Sequence, residues 1–123
     1  MSGTRKSLHL TAKNWNRRIA RMKNILLVCS AGMSTSMLVK KMQEAAVKMD
    51  TEVGIKAIPE AEASSNMDWA DIVLLGPQVR FLQGQIQTIA GTKPVEVIDM
   101  ASYGTMNGEK VLLEALDKIK GEE

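Results

Sequence analysis

The sequence predicts an α/β domain: one three-layer fold in which four parallel strands, in the order 2-1-3-4, are flanked by helices. Three observations carry this. Four short apolar runs alternate with stretches of helical periodicity, and strands joined through helices pair in parallel with right-handed crossovers. The runs at 25–28 and 72–75 are continuous in apolar residues, as strands covered on both faces are. The 123 residues suffice for one such core.

Taken in order, Asn24–Cys29 reads as a buried strand, and Ser36–Met49 as a helix with Leu38, Met42, Ala45, Ala46 and Met49 on one face. Val53–Ile58 alternates and ends at Pro59, which predicts a second strand. Glu60–Asn66 is a short, weakly patterned helix or turn, and Asp71–Leu75 is a third strand closed by Gly76-Pro77. Phe81–Ala90 is helical through Leu82, Ile86 and Ile89, although Gly84 weakens it. Lys93-Pro94 turns into a fourth strand, Val95–Ile98. A loop, Asp99–Gly108, precedes a last helix at about 109–120 with Leu112, Ala115, Leu116 and Ile119 inward.

Composition excludes several functions. Aromatic residues are 3% of the chain, too few for a base-stacking platform, so nucleic acid is not an expected partner. One cysteine rules out an internal disulfide and fits a reducing cytoplasm. With one histidine as well, His9, no metal-ligand cluster can be assembled, and no metal or cofactor is expected. No apolar run approaches the roughly 20 residues of a membrane span.

The net charge of +2 is unevenly spread. Residues 1–21 carry Arg5, Lys6, Lys13, Arg17, Arg18 and Arg21 and no acid; the remaining ten basic and fourteen acidic residues give 22–123 a charge of −4. Leu8, Trp15, Ile19 and Met22 fall at helical spacings, so 8–22 could form a basic amphipathic helix. The plainer expectation is that 1–21 is a disordered extension or a start-site artefact, with the domain running from 22 to 123.

Cys29 ends the first strand, and Ser30, Ala31, Gly32, Met33, Ser34, Thr35 and Ser36 lead from it into a helix. A thiol there faces the helix's unpaired N–H groups and about half a positive charge from the helix dipole. Both favour a thiolate and would hold a phosphoryl group on the sulfur. A lone cysteine can also serve as a small core hydrophobe. The hydroxyl-rich loop, with Gly32 for close approach and Ser34, Thr35 or Ser36 able to cap the helix, argues for a phosphate site instead. In the 2-1-3-4 order the loops after Cys29, after the third strand (Gly76-Pro77-Gln78-Val79) and after the fourth (Asp99–Tyr103) converge at the switch point, where such folds bind ligands.

Low-molecular-weight tyrosine phosphatases share this strand, Cys loop and helix, but need an Arg six residues after the Cys to clamp phosphate. Thr35 stands at that place, and Asp99 matches their general acid only loosely. A phosphocysteine could thus form and wait for an acceptor.

Four pieces in order, Leu27–Val39, Val73–Val79, Lys93–Asp99 and Tyr103-Gly104, resemble the IIB component of the bacterial sugar phosphotransferase system, lactose/cellobiose/chitobiose type. The resemblance covers 22–120, and the basic leader departs from it. It implies a fold similar to the low-molecular-weight phosphatases and a cytoplasmic phosphoryl carrier. Cys29 would accept a phosphoryl group from phosphohistidine of the IIA protein. It would then pass it to a β-linked disaccharide held by the IIC membrane transporter, through which alone the carrier would approach the membrane. Residues 30–36 would cradle the phosphoryl oxygens. Gly76, Pro77 and Gln78 either contact the Cys loop or a partner or merely end a strand; Asp99 and Tyr103 either contact a partner or only fix the fourth loop. Met33 and Met37 read as core or docking surface. The competing readings are a phosphatase-like hydrolase and a non-catalytic α/β binding module.

Overall fold

The structure is a computed structural model that describes residues 22–30 and 33–122. The extension 1–21 lies outside the described residues, as do Ala31 and Gly32 of the Cys loop.

Strand β1 spans Lys23–Cys29, and its last five residues are buried. It is flanked by β2 (Val53–Pro59) and β3 (Ile72–Leu75), and β4 (Val95–Val97) closes the far edge. All pairings are parallel and the order is β2-β1-β3-β4, the predicted 2-1-3-4. In register, Val28 lies between Ile58 of β2 and Leu75 of β3. β3 starts at Ile72 rather than Asp71. Asp71 instead ties the lower ends of β1 and β3: its N–H donates to the Asn24 carbonyl at 2.8 Å, and its carboxylate accepts from the Asn24 N–H at 2.8 Å.

Alternate strand residues point to opposite faces, so each face has its own core. Ile25, Leu27, Ile72 and Leu74 face helices α1 (Met33–Lys48) and α5 (Gly108–Glu122), meeting Leu38, Met42, Leu112 and Ala115. Leu26, Val28, Val73 and Leu75 face the other layer, meeting Val79, Leu82, Ile86 and Ala63. That layer holds a 3-10 turn at Glu60–Glu62 running into α2 (Ala63–Asn66), and a 3-10 segment at Pro77–Leu82 running into α3 (Gln83–Ala90). Burying each large aliphatic side chain contributes about 1.5–3 kcal/mol before chain entropy is counted.

Several features differ from the sequence reading. α1 begins at Met33, three residues early, so Ser34, Thr35 and Ser36 lie inside its first turn instead of capping it from outside. It ends at Lys48, and Asp50 follows in the left-handed region at φ 52°, where the Thr51 N–H reaches the Ala46 carbonyl and closes the helix end. The helical path after β3 begins at Pro77, since proline suits a first helical position and lacks only an N–H that would go unused. On α3, Ile86 and Ala90 form the buried pair, whereas Ile89 is 44% and Phe81 77% exposed. Residues 99–108 are not all loop: α4 (Met100–Gly104) lies within them.

Candidate active site

Three chain crossings meet at the carboxyl ends of β1 and β3, where the order reverses. The Gly76 N–H donates to the Val28 carbonyl at 3.0 Å, extending the ladder one residue past β3 and beside Cys29. Gly76 is buried, and a Cβ there would lie 3.8 Å from both the Val28 carbonyl oxygen and Cε1 of Tyr103. The Gly76 carbonyl accepts from the Val79 N–H at 3.0 Å, which starts the 3-10 segment. Pro77 is half-buried, and Gln78 is exposed with its Oε1 folded back toward Gly76.

Cys29 is only 3% exposed, and its Sγ lies 3.8 Å from the Ile58 carbonyl, to which the thiol donates weakly. It is the last residue of β1, and α1 opens at Met33. The main-chain N–H groups of Met33, Ser34 and Thr35 therefore have no carbonyl one turn back within the helix. The side chains of Met33 and Ser34 lie outside the described residues. Ser30, Ser36 and Met37 are exposed around this end of β1, which settles Met37 as surface.

Thr35 is 1% exposed, and its hydroxyl meets that of Tyr103 at 3.2 Å. Tyr103 comes from α4, whose N-cap is Asp99. The Asp99 carboxylate accepts from the Ser102 N–H at 3.0 Å and from the Ser102 hydroxyl at 2.8 Å. Lys110 of α5 stands 3.8 Å from it in a half-exposed ion pair. The structure thus joins Thr35 to Tyr103 and sets Gly76 beside Tyr103 and Val28, while Asp99 caps its own helix. Sequence reasoning missed Ser102 and the Thr35–Tyr103 bond. The Asp99-x-x-Ser102 spacing carried the signal for the cap.

The Ser102 N–H, then the Ser102 hydroxyl, hold the Asp99 carboxyl below its ordinary range, with Lys110 acting in the same direction. A depressed carboxyl contributes stability above its unfolded-state pKa and loses it as pH falls through the folded value. Asn caps helices as well as Asp does, so Asp99→Asn removes mainly the charge. The variant is expected to melt slightly below wild type at pH 7, with the gap closing below about pH 4. Thermal denaturation across pH checks this; a gap that stays constant through the carboxylate range contradicts it.

Among the described residues, no group of three His, Cys, Asp or Glu side chains could hold a metal ion. No helix among them is long and apolar enough to cross a membrane.

Comparison with known proteins identifies the family and the fold. Residues 24–114 match the family model described as PTS system, lactose/cellobiose-specific IIB subunit. The chain is 47% identical over 97 residues to the oligo-beta-mannoside-specific EIIB component of the phosphotransferase system of Bacillus subtilis, covering 77% of this chain and 94% of that one. It is 45% identical over 101 residues to the galactose-specific EIIB component of Lactococcus lactis subsp. cremoris, covering 76% and 93%. The solution structure of the cellobiose-specific IIB component from Borrelia burgdorferi superimposes with a TM-score of 0.70 at 44% identity, covering 83% of this chain and 95% of that one. The chain belongs to the lactose/cellobiose-specific IIB family of the sugar phosphotransferase system, and so is a phosphotransferase subunit.

Proposed function

We propose that Cys29 is the phosphoryl carrier of this subunit. One observation supports the reading: Cys29 ends the central strand β1 at the switch point of the sheet, just before α1 opens at Met33. In the first step the thiol loses its proton to solvent and its contact with the Ile58 carbonyl. The thiolate attacks phosphorus on a phosphohistidine of the IIA protein; the S–P bond forms, the N–P bond breaks, and the histidine nitrogen keeps the electron pair. In the second, a sugar hydroxyl held by the IIC transporter attacks phosphorus. An O–P bond forms, the S–P bond breaks, thiolate leaves, and the hydroxyl proton passes to a base on the transporter side. One covalent carrier replaces another at each step, so this chain supplies position and charge stabilisation.

The N–H groups of residues 30–36, with the positive end of α1, hold the phosphoryl oxygens. Both steps occur on the cytoplasmic side, where the protein meets the membrane only through IIC. The relatives differ in the sugar they name: oligo-β-mannoside, galactose and cellobiose. A β-linked disaccharide of the cellobiose, chitobiose or lactose type is the substrate class we propose. The choice among them rests with the transporter.

The hydrolase reading has a direct test. Thr35 holds the position of a phosphatase's clamping Arg, and its hydroxyl is turned to Tyr103. No guanidinium there neutralises a transition state in which water attacks. Hydrolysis of p-nitrophenyl phosphate is expected to be indistinguishable from that of Cys29→Ser, while the same preparation takes up phosphate from phosphorylated IIA. Fast hydrolysis that depends on Cys29, without uptake from IIA, would replace the carrier reading with the hydrolase one.

A further inference from the structure

The buried hydroxyl pair Thr35–Tyr103 is more than stability requires. Replacing both partners of a buried hydrogen bond by apolar groups of the same shape is often nearly neutral. Val and Phe would fill this volume without the cost of burying two hydroxyls. A hydrogen bond differs from such packing in direction: it fixes the rotation of the groups it joins.

The direction matters because of where the pair sits. Thr35 is the third residue of α1, in the turn that opens the helix four residues after Cys29. Tyr103 is held from behind by α4, which the Asp99 cap anchors through Ser102. A Cβ on Gly76 would lie 3.8 Å from the Tyr103 ring, and the Gly76 N–H is bonded to Val28, one residue before Cys29. The contacts form a chain: Val28, which precedes Cys29, is bonded to Gly76, Gly76 lies beside Tyr103, and Tyr103 meets Thr35.

We propose that Tyr103 is a positioning residue for phosphoryl transfer: through Thr35 it sets the first turn of α1 so that its N–H groups converge on the phosphoryl group at Cys29. This rests on Cys29 as the acceptor. The arrangement also separates a carrier from a hydrolase. The sixth residue after the cysteine reaches backward to orient the loop, leaving the phosphoryl face open to the next acceptor.

The test uses full-length wild type, Tyr103→Phe, Thr35→Ser, Thr35→Val and the double variant Tyr103→Phe/Thr35→Val. The readouts are rapid-quench uptake from phosphorylated IIA, the phosphorus NMR shift of the phosphocysteine, and the melting temperature. Tyr103→Phe is expected to slow uptake about 3- to 10-fold, the worth of one neutral hydrogen bond, and to move the phosphorus resonance. Thr35→Ser, which keeps the hydroxyl, stays near wild type in both; Thr35→Val behaves as Tyr103→Phe does. The double variant, which removes the pair together, melts above the less stable of the two single variants and remains slow. That split between stability and rate is what a purely structural role would not produce. Wild-type uptake and resonance in Tyr103→Phe, or a double variant that recovers rate along with stability, overturns the proposal. Wild type that takes no phosphate on Cys29 overturns the carrier reading itself, and the proposal with it.

Discussion

Cys29→Ser is expected to abolish sugar phosphorylation through this protein while leaving its fold intact. Serine has nearly the shape of cysteine, and the thiol's only described hydrogen bond is the weak 3.8 Å contact with Ile58, which a hydroxyl can also make. A serine hydroxyl is a poor nucleophile without a base beside it, and the described residues place no histidine or carboxylate within hydrogen-bond reach of the sulfur. Removing a covalent nucleophile costs more than about 10³-fold in the best-studied cases. The measurement is sugar phosphate formed by vesicles bearing the IIC transporter, supplied with phosphoenolpyruvate, the general phosphotransferase proteins and IIA. The loss should exceed three orders of magnitude, with the melting temperature within a few degrees of wild type. Residual transfer above about a tenth of wild type is incompatible with a phosphocysteine intermediate.

The largest effect on stability is expected at Gly108, where α5 starts against the middle of α1. A Cβ there would fall 2.5 Å from the carbonyl carbon of Lys41, 2.5 Å from the nitrogen of Met42 and 2.6 Å from Cβ of Lys41. Two of those atoms are helix backbone, so the clash is relieved only by moving α5 away from α1. That would loosen Val111, Leu112 and Ala115 against Leu38 and Met42. Overpacking of this kind costs about 3 kcal/mol or more, which lowers the melting temperature of a domain this size by roughly 10 °C or more. Gly84→Ala is the control, since a Cβ there meets nothing within 4 Å and alanine favours a helix. It should melt at or slightly above wild type. A Gly108→Ala protein as stable as Gly84→Ala contradicts the close helix crossing.

What could be read from the sequence followed from how strong each local signal is. The apolar runs at 25–28 and 72–75 have no polar residue to expose, and both are buried at the sheet centre. The inward face of α1 followed from period alone, with Leu38, Met42, Ala45 and Ala46 all buried. The start of α1 was misread because Ser34, Thr35 and Ser36 are the residue types that cap helices from outside, and only tertiary structure shows Thr35 buried in the first turn. Helix α4, at five residues, is too short to show a period, so its Asp99 cap looked like part of a loop. Gly108 gave no warning in sequence, because close approach between two helices is a property of both. The loop carrying Cys29 can be proposed as a site from sequence because its residue types reflect local chemistry. The Thr35–Tyr103 bond cannot be read from it, since it joins residues 68 apart whose meeting depends on the whole sheet order.

The most direct test of the carrier reading is to find where phosphate resides after one turn of the relay. The full-length protein is incubated with phosphoenolpyruvate, the general phosphotransferase proteins and a lactose/cellobiose-type IIA, then weighed intact and mapped by peptide mass spectrometry. The expected result is one added phosphate, on the peptide holding Cys29, lost in acid and released by iodine as a thiophosphate ester is, and absent from Cys29→Ser. Phosphate mapped to Ser30, Ser34, Thr35 or Ser36 and stable to acid and iodine, or no uptake from a IIA that phosphorylates its own partner, would contradict it.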